Sequence, residues 1–590
     1  MAKLFWTISS LYGLLFLLTI VDQLFSLDPF IPLWATLFSQ FKLNMHNTKD
    51  AKASQPYRTS YHFQPPKNWM NDPNGPMFYK GVYHLFYQYN PFAAVTGNIS
   101  WAHSVSYNLI DWMHLDNAIN PTEPYDINGC WSGSATILPG VKKPVILYTG
   151  DNFEHHQVQN LAVPKNMSDP LLREWVKSGS NPVMTPGNGI DPKMYRDPTT
   201  SWQGSDKIWR VIIGSQINGH GTAILYKSKD FVEWTRSKDP LHSSNKTGMW
   251  ECPDFYPVSS RGKKGVESSF KGGDTKQVLK ASFGDHDYYV IGNYDSKMDH
   301  YSADVDFMDS IVQLRYDYGM FYASKSFYDC DKKRRILWGW VTEADSKSDD
   351  INKGWSGIQS IPRTILLDKT GKQLVQWPIK ELKKLRARQV SLHNIEIKGG
   401  TVFEIAGITA SQADVEVSFE LPNLEDRIEL MDTKSVDPQQ LCSEKNSTVR
   451  GVLGPFGLLV LASKNLTEQT AIFFRIFKGY DKFVVLMCSD QSRSSLKRDV
   501  DKKIFGAFVD ANLSHKISLR TLIDHSVVES FGGKGKACIT ARVYPELAID
   551  NKSHLYAFNY GTRSVRVSRL RAWSMKKARI VEFHEGRKLE

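Results

Sequence analysis

Cysteine is scarce in this chain of 590 residues: there are six, Cys130, Cys252, Cys330, Cys442, Cys488 and Cys538, and none stands in a CxxC or Cys/His pattern of metal-ligand spacing. No zinc site and no other metal is expected. Long amphipathic helical stretches are missing as well. From residue 54 to residue 378, short runs of alternating apolar and polar residues follow one another, punctuated by Gly, Pro, Asn and Asp, which is an all-β pattern. Massed basic residues are lacking too: the formal charge is +11, but the densest run is DKKRR at residues 331–335. A nucleic-acid groove is therefore poorly supported, whereas the overall charge suits an acidic polysaccharide. With 41% hydrophobic and 23% charged residues the balance is globular, and the 12% aromatic content is high enough to furnish both a core and a sugar-binding face.

Near the N-terminus Lys3 precedes an apolar run at residues 4–21, the order of a signal peptide or signal anchor. A second apolar stretch, residues 24–38, is interrupted by Asp28, Pro29 and Pro32 and reads poorly as a spanning helix. The leader is taken as residues 1–53; membrane attachment is expected only if it stays uncleaved. Seven Asn-x-Ser/Thr sequons, at Asn98, Asn166, Asn245, Asn446, Asn465, Asn512 and Asn551, agree with entry into the secretory pathway.

Within residues 54–378, SYNLIDW (106–112) and SKDFVEW (228–234) echo each other, which points to repeated strand-plus-Trp units of a propeller. Residues 379–389, IKELKKLRARQ, read as a helical linker with Leu382 and Leu385 three apart. Strand alternation resumes over residues 390–590, as in RSVRVSRLRAW (563–573), and predicts a second all-β domain, a two-sheet sandwich.

Three acidic motifs stand out in the first domain: WMNDPNG with Asp72, YRDPTTSW with Asp197 and WECPDFYPV with Glu251. Asn-Asp-Pro-Asn-Gly is ordinary turn chemistry. Two carboxyl groups facing each other across a glycosidic bond are, equally, the minimum apparatus of a glycosidase. Trp250 and Cys252 give Glu251 an apolar setting suited to a proton donor, and turn amides are expected to keep Asp72 ionised.

The three motifs in this order, together with GCWSGSATILPG (129–140), RYDYGMFYASKSF (315–327), GWSGIQSIPR (354–363) and DHSVVESF (524–531), resemble the plant acid invertase and fructan exohydrolase group of the family 32 glycoside hydrolases. The resemblance covers nearly all of the chain after residue 55. It implies a five-bladed β-propeller followed by a β-sandwich, and retaining hydrolysis of terminal β-fructofuranosyl units of fructan or sucrose without metal or cofactor, by a monomer. It also implies roles: Asp72 as nucleophile, Glu251 as acid/base, Asp197 with Arg196 on the fructose hydroxyls, and Trp69, Asn71, Gln88, Trp131 and Ser132 lining the fructose subsite. Asp254, Asp524 and Glu529 are read as structural, and a Cys442–Cys488 bridge fits the family's sandwich.

Two departures from the cell-wall invertase pattern favour a fructan exohydrolase. Thr96 stands where those invertases carry Trp, and VLKASFGDHDYY (278–289) lacks their Asp-x-x-Lys, with Asp285 or Asp287 as the available substitutes. Sucrose hydrolysis is the main alternative; a fructosyltransferase or a non-catalytic fructan-binding homologue ranks lower. The linkage, β-2,1 or β-2,6, is not encoded legibly. The expected location is the apoplast or cell wall, with the vacuole as alternative.

Overall fold

The computed structural model describes residues 55–583 except 141, 263, 271, 311–312, 422–427, 432–435, 481–482 and 511–515. The leader at residues 1–53 and the sequon at Asn512 lie outside the described residues. Among the described residues no helix is long and apolar enough to cross a membrane.

Five antiparallel sheets occupy residues 68–378, led in chain order by the strands Asn68–Tyr79, Gly129–Leu138, the pair Tyr195–Arg196 and Trp202–Gln203, Glu251–Ser259, and Tyr322–Asp329. Each sheet packs on the next, and the fifth packs on the first. A short strand, Trp355–Ser356, runs parallel to Asn68 and Trp69 and joins the end of this series to its beginning. The echo seen in the sequence is a repeated turn. Ser106 Oγ accepts from the amides of Asn108 and Leu109, and Ser228 Oγ from those of Asp230 and Phe231. The side chains of Asn108 and Asp230 then accept from the next two amides, with Leu109 and Phe231 in the left-handed region at φ 64° and 70°. In both copies the turn delivers a Trp into the last strand of a hairpin, in the first and the third sheet. Short polar side chains that mimic a backbone turn explain why the echo keeps Ser and an acid or amide but not the apolar letters.

Two six-stranded sheets follow between Arg386 and Met575 and share one apolar core. Alternation builds it: Val415, Val417 and Phe419 of one sheet are buried with Leu458, Val460, Ile472 and Phe474 of the other. Each such side chain contributes about 1.5–3 kcal/mol when removed from water. Helix Pro438–Glu444, capped by Asp437, is joined to strand Phe483–Asp490 through the Cys442–Cys488 disulfide, Cα atoms 5.7 Å apart.

The helical linker is a correction. A single 3-10 helix spans Lys380–Leu385, and strand Arg386–Ile397 has already begun where the helix was expected to continue. Leu382 and Leu385 are both buried; a spacing of three matches the three residues per turn of a 3-10 helix. The two β regions are laced together from both chain ends. The amides of Ser60, Tyr61 and His62 donate to Asp524, and strand Ile580–Glu582 returns to pair parallel with Trp112–His114 of the first sheet.

Five of the seven sequons, at Asn98, Asn166, Asn245, Asn465 and Asn551, are exposed, and Asn446 is half-buried. The basic run at 331–335 is consumed in part: Lys332 and Lys333 are exposed, but Arg334 pairs with Asp329 and Glu381, and Arg335 is buried over Tyr256.

Candidate active site

The site forms where the leading strands lose their register. In the first sheet pairing is shifted between Met70 and Pro73, in the second between Cys130 and Gly133, in the fourth between Glu251 and Asp254, and in the fifth between Tyr322 and Lys325. The third leading strand is broken outright between Arg196 and Trp202. A bulge turns out side chains that a regular ladder would send to alternate faces. Asn71 and Asp72, Trp131 and Ser132, Asp197, and Cys252 all sit at these interruptions. Each acid motif also carries a proline, Pro73, Pro198 or Pro253, which has no N–H to give a ladder. The stretch read as a turn at Asp72 is therefore an irregular part of a twelve-residue strand.

The first and second sheets build one hydrogen-bonded chain. Trp69 Nε1 donates to Asn71 Oδ1 (2.9 Å), and Asn71 Nδ2 donates to Asp72 Oδ1 (3.0 Å) and Gln88 Oε1 (2.8 Å). Gln88 Nε2 donates to Ser132 Oγ, and Ser132 Oγ donates to Asp72 Oδ2, both at 2.5 Å. Trp131, half-buried, holds its backbone carbonyl on Trp101 Nε1.

The third, fourth and fifth sheets supply the rest. Asp197 is buried, with φ 67°; its amide donates to Thr149 Oγ1, and its Oδ2 accepts from the Cys252 amide at 2.8 Å. Cys252, itself at φ 44°, places its thiol 3.4 Å from Asp72 Oδ2. One residue thus touches two of the three acids, and two adjoining left-handed non-glycine residues of this kind are a form of strain that clusters at functional sites. Glu251 accepts from Arg196 Nη2 at 2.6 Å and from Tyr322 Oη at 2.5 Å, with its side chain 33% exposed. Arg196 is braced by Gln157 Oε1 and the Lys193 carbonyl.

Eight of the nine residues expected from the sequence are thus drawn into hydrogen bonds at one end of the leading strands, and Trp131 stands beside Ser132 there. The surroundings expected of Asp72 and Glu251 differ from those observed. Asp72 receives no cradle of turn amides: loss of water, reinforced by the charges of Asp197 and Glu251, pushes its carboxyl up to about 6 against the hydrogen bonds from Ser132 and Cys252. Burial likewise raises Asp197 despite the neighbouring Arg196. Glu251 meets a guanidinium and a phenol rather than an apolar wall, since Trp250 turns its indole to Thr247. Sequence reasoning missed Tyr322 and the double role of Cys252. Tyr322 stands at the head of a leading strand where a register shift follows, a position that alternation alone does not flag.

The Glycosyl hydrolases family 32 N-terminal domain matches residues 62–378, and the Glycosyl hydrolases family 32 C terminal matches residues 381–574. The chain belongs to glycosyl hydrolase family 32. This family 32 glycoside hydrolase is 59% identical over 545 residues to the beta-fructofuranosidase, insoluble isoenzyme CWINV1, of Arabidopsis thaliana, covering 90% of this chain and 93% of the relative. It is 57% identical over 533 residues to the fructan 6-exohydrolase of Beta vulgaris, covering 89% and 88%. The crystal structure of fructan 1-exohydrolase IIa from Cichorium intybus, a protein also solved as a variant in complex with 1-kestose, matches at TM-score 0.88 and 53% identity, covering 90% of this chain and 100% of that one. The family 32 assignment and the all-β architecture thus agree with the motifs that first suggested them.

Proposed function

We propose that this family 32 hydrolase is a fructan exohydrolase, releasing terminal fructose from β-2,1 or β-2,6 fructans by double displacement at Asp72. The observation that carries the reading is the convergence of Asp72, Asp197 and Glu251 around Cys252 and Arg196, at one end of five sheets that contact one another in a closed series. That series is taken as a five-bladed propeller over residues 54–378, and the two later sheets, to residue 590, as a β-sandwich. Asp72, ionised above about pH 6, attacks C2 of the terminal fructosyl unit while Glu251 gives its proton to the departing glycosidic oxygen, leaving a fructosyl ester on Asp72. Glu251 then takes a proton from water, whose oxygen attacks C2, frees fructose and restores the Asp72 carboxylate. Asp197 and Arg196 hold fructose hydroxyls and offset the positive charge that develops on the ring. Trp69, Asn71, Gln88, Trp131 and Ser132 line the subsite, which frees hydrogen-bonding groups for the sugar without a metal or cofactor.

Sucrose hydrolysis is the second reading, favoured by the resemblance to insoluble beta-fructofuranosidases. Against it, one of the two candidates for a glucose contact is withdrawn from solvent and the other stands in a tight turn. Asp287 is wholly buried, accepting from Ser282 Oγ and the amides of Ala323 and Ser324 beside Lys280. Asp285 belongs to a two-residue hairpin turn, with Gly284 and Asp285 at φ 53° and 63°. Thr96 is exposed and offers no ring. A site rewards only the substrate that completes its hydrogen bonds. The test is kcat/KM on sucrose beside short inulin and levan oligomers; a preference for sucrose makes the chain an invertase. We place it in the apoplast or cell wall, with the vacuole as alternative, acting as a monomer.

A further inference from the structure

Phenylalanines rarely stand free of contact on a rigid loop, yet Phe92 is 78% exposed and Phe153 80% exposed. A single exposed apolar residue needs no explanation. These two share a place. Phe92 lies in the loop that joins Val82–Asn90 to Ser100–Ser106, and Phe153 in the loop that joins Lys143–Asp151 to Gln157–Pro164. Both loops stand at the catalytic end, because Asn90 pairs with Trp69 and Asp151 with Gly129. They flank the segment carrying Trp131 and Ser132: the Cys130 amide donates to the Ile99 carbonyl on one side, and Asn128 donates to the carbonyls of Asp151 and Asn152 on the other.

Neither loop is slack. Asn90 accepts from the Phe92 amide and donates to the Val95 carbonyl, while the Trp69 amide donates to the Ala93 carbonyl. Asn152 accepts from the amides of Glu154 and His156, and the Phe153 amide donates to the Pro124 carbonyl. The corresponding connections of the third and fourth sheets are two-residue turns, at residues 218–219 and 284–285, with no aromatic side chain. The third and fourth sheets thus add no aromatic ring to the rim through these connections.

We propose that Phe92 and Phe153 form, on either side of Trp131, an aromatic rim that receives the second and third fructosyl units of an oligofructan whose terminal unit sits at Asp72. The inference rests on the fructan reading above. A flat ring on a loop braced by backbone hydrogen bonds binds the C–H face of a sugar at a lower ordering cost than one on a slack loop, and two such rings on neighbouring sheets give the outgoing chain a path past Trp131. The rim grades substrates by length rather than by the chemistry at the scissile bond.

The experiment measures kcat/KM across a length series, from sucrose to tri-, tetra- and pentasaccharide fructans of each linkage, for the wild type, Phe92→Ala, Phe153→Ala, and the Trp and Leu variants at both positions. The tetrasaccharide-to-sucrose ratio is expected to fall about two- to tenfold in each Ala variant. Trp is expected to restore it and Leu, apolar but not flat, to leave it low. An unchanged ratio, or equal loss at every length, overturns the rim while leaving the fructan reading intact if the wild type still cleaves fructan. A wild type that releases no fructose from any fructan overturns both.

Discussion

Two groups of withdrawn carboxylates in this molecule behave in opposite ways. At the junction of the two β regions, Asp524 and Glu529 are wholly buried. Asp524 accepts from the amides of Ser60, Tyr61 and His62 and from His62 Nδ1; Glu529 accepts from the Ile361 amide, His62 Nε2 and Arg363. Burial works to raise both acids, but His62 and the surrounding donors outweigh it and hold Asp524 low, as Arg363 and His62 do for Glu529. At the active site Asp72 meets one amide side chain, one hydroxyl and a distant thiol, with two further acids nearby, and is pushed up to about 6. Burial is thus not what distinguishes the reactive acid. The supply of donors is: saturated carboxylates fasten the fold, and an under-supplied one among like charges is left with basicity to use.

The sharpest break in the comparison is Glu251→Gln. It keeps size and polarity, so the melting temperature should barely move while kcat falls about 10²–10⁴-fold. Near-normal turnover sinks its proposed role. The mirror change is Asp524→Asn, which should leave kcat nearly unchanged at permissive temperature but destabilise the fold by roughly 3–5 kcal/mol, because His62 then faces its site with one counter-charge gone. The junction also sets a pH window. His62 is raised above 6.5 by its two carboxylate partners against burial, so its contribution is full below 6.5 and fades as pH climbs through the folded value. Asp524 and Glu529 are lowered from 3.8 and 4.5, so theirs is full above about 4.5 and is lost as pH falls through the folded values. Thermal melts should peak between about pH 4.5 and 6.5, and Asp524→Asn should flatten that peak.

Ser132→Ala sharpens the other side. Its hydroxyl is a donor that lowers the Asp72 carboxyl, so its removal should raise that carboxyl further. The acid limb of kcat/KM, read on the free enzyme, should move to higher pH by on the order of one unit. A limb that stays put while kcat drops would assign Ser132 to substrate contact alone. Because Asp72, Asp197 and Glu251 interact, the limb belongs to the cluster, and the shift rather than its absolute position is the quantity to compare.

The three acids of this site were legible because their motifs are tied to backbone punctuation, whereas the residues around them came from the family resemblance. Asp72-Pro73, Asp197-Pro198 and Glu251-Cys252-Pro253 each set a ladder-breaking proline beside an acid, and each coincides with a register shift or break in a leading strand. The repeated turn, Ser followed two residues on by Asn or Asp and six residues on by Trp, was legible for the same reason. What could not be read depends on which atoms meet across sheets. Tyr322 reaches Glu251 from 71 residues away, and Asp72 lacks the amides that its motif advertises. Phe92 and Phe153 look like any core phenylalanine until their loops are placed. The helical linker failed on period: two leucines three apart suit either kind of helix, and tertiary packing of Leu382 and Leu385 chose the shorter one.

The smallest effect should come from Cys252→Ala. Its thiol is a weak donor at 3.4 Å from Asp72, whereas its backbone amide, which no side-chain replacement removes, is the strong link to Asp197 at 2.8 Å. Losing the thiol should therefore shift the acid limb of kcat/KM in the same direction as Ser132→Ala but by less, within about half a unit, and leave the Asp197-dependent part of catalysis in place. The left-handed backbone at φ 44° adds a control: Cys252→Gly removes the same thiol while easing the backbone, so the two variants should share the pH shift and differ in stability. If instead Cys252→Ala moves the limb further than Ser132→Ala, donor supply is not what sets the basicity of Asp72, and the contrast with the saturated acids at the junction has a different cause.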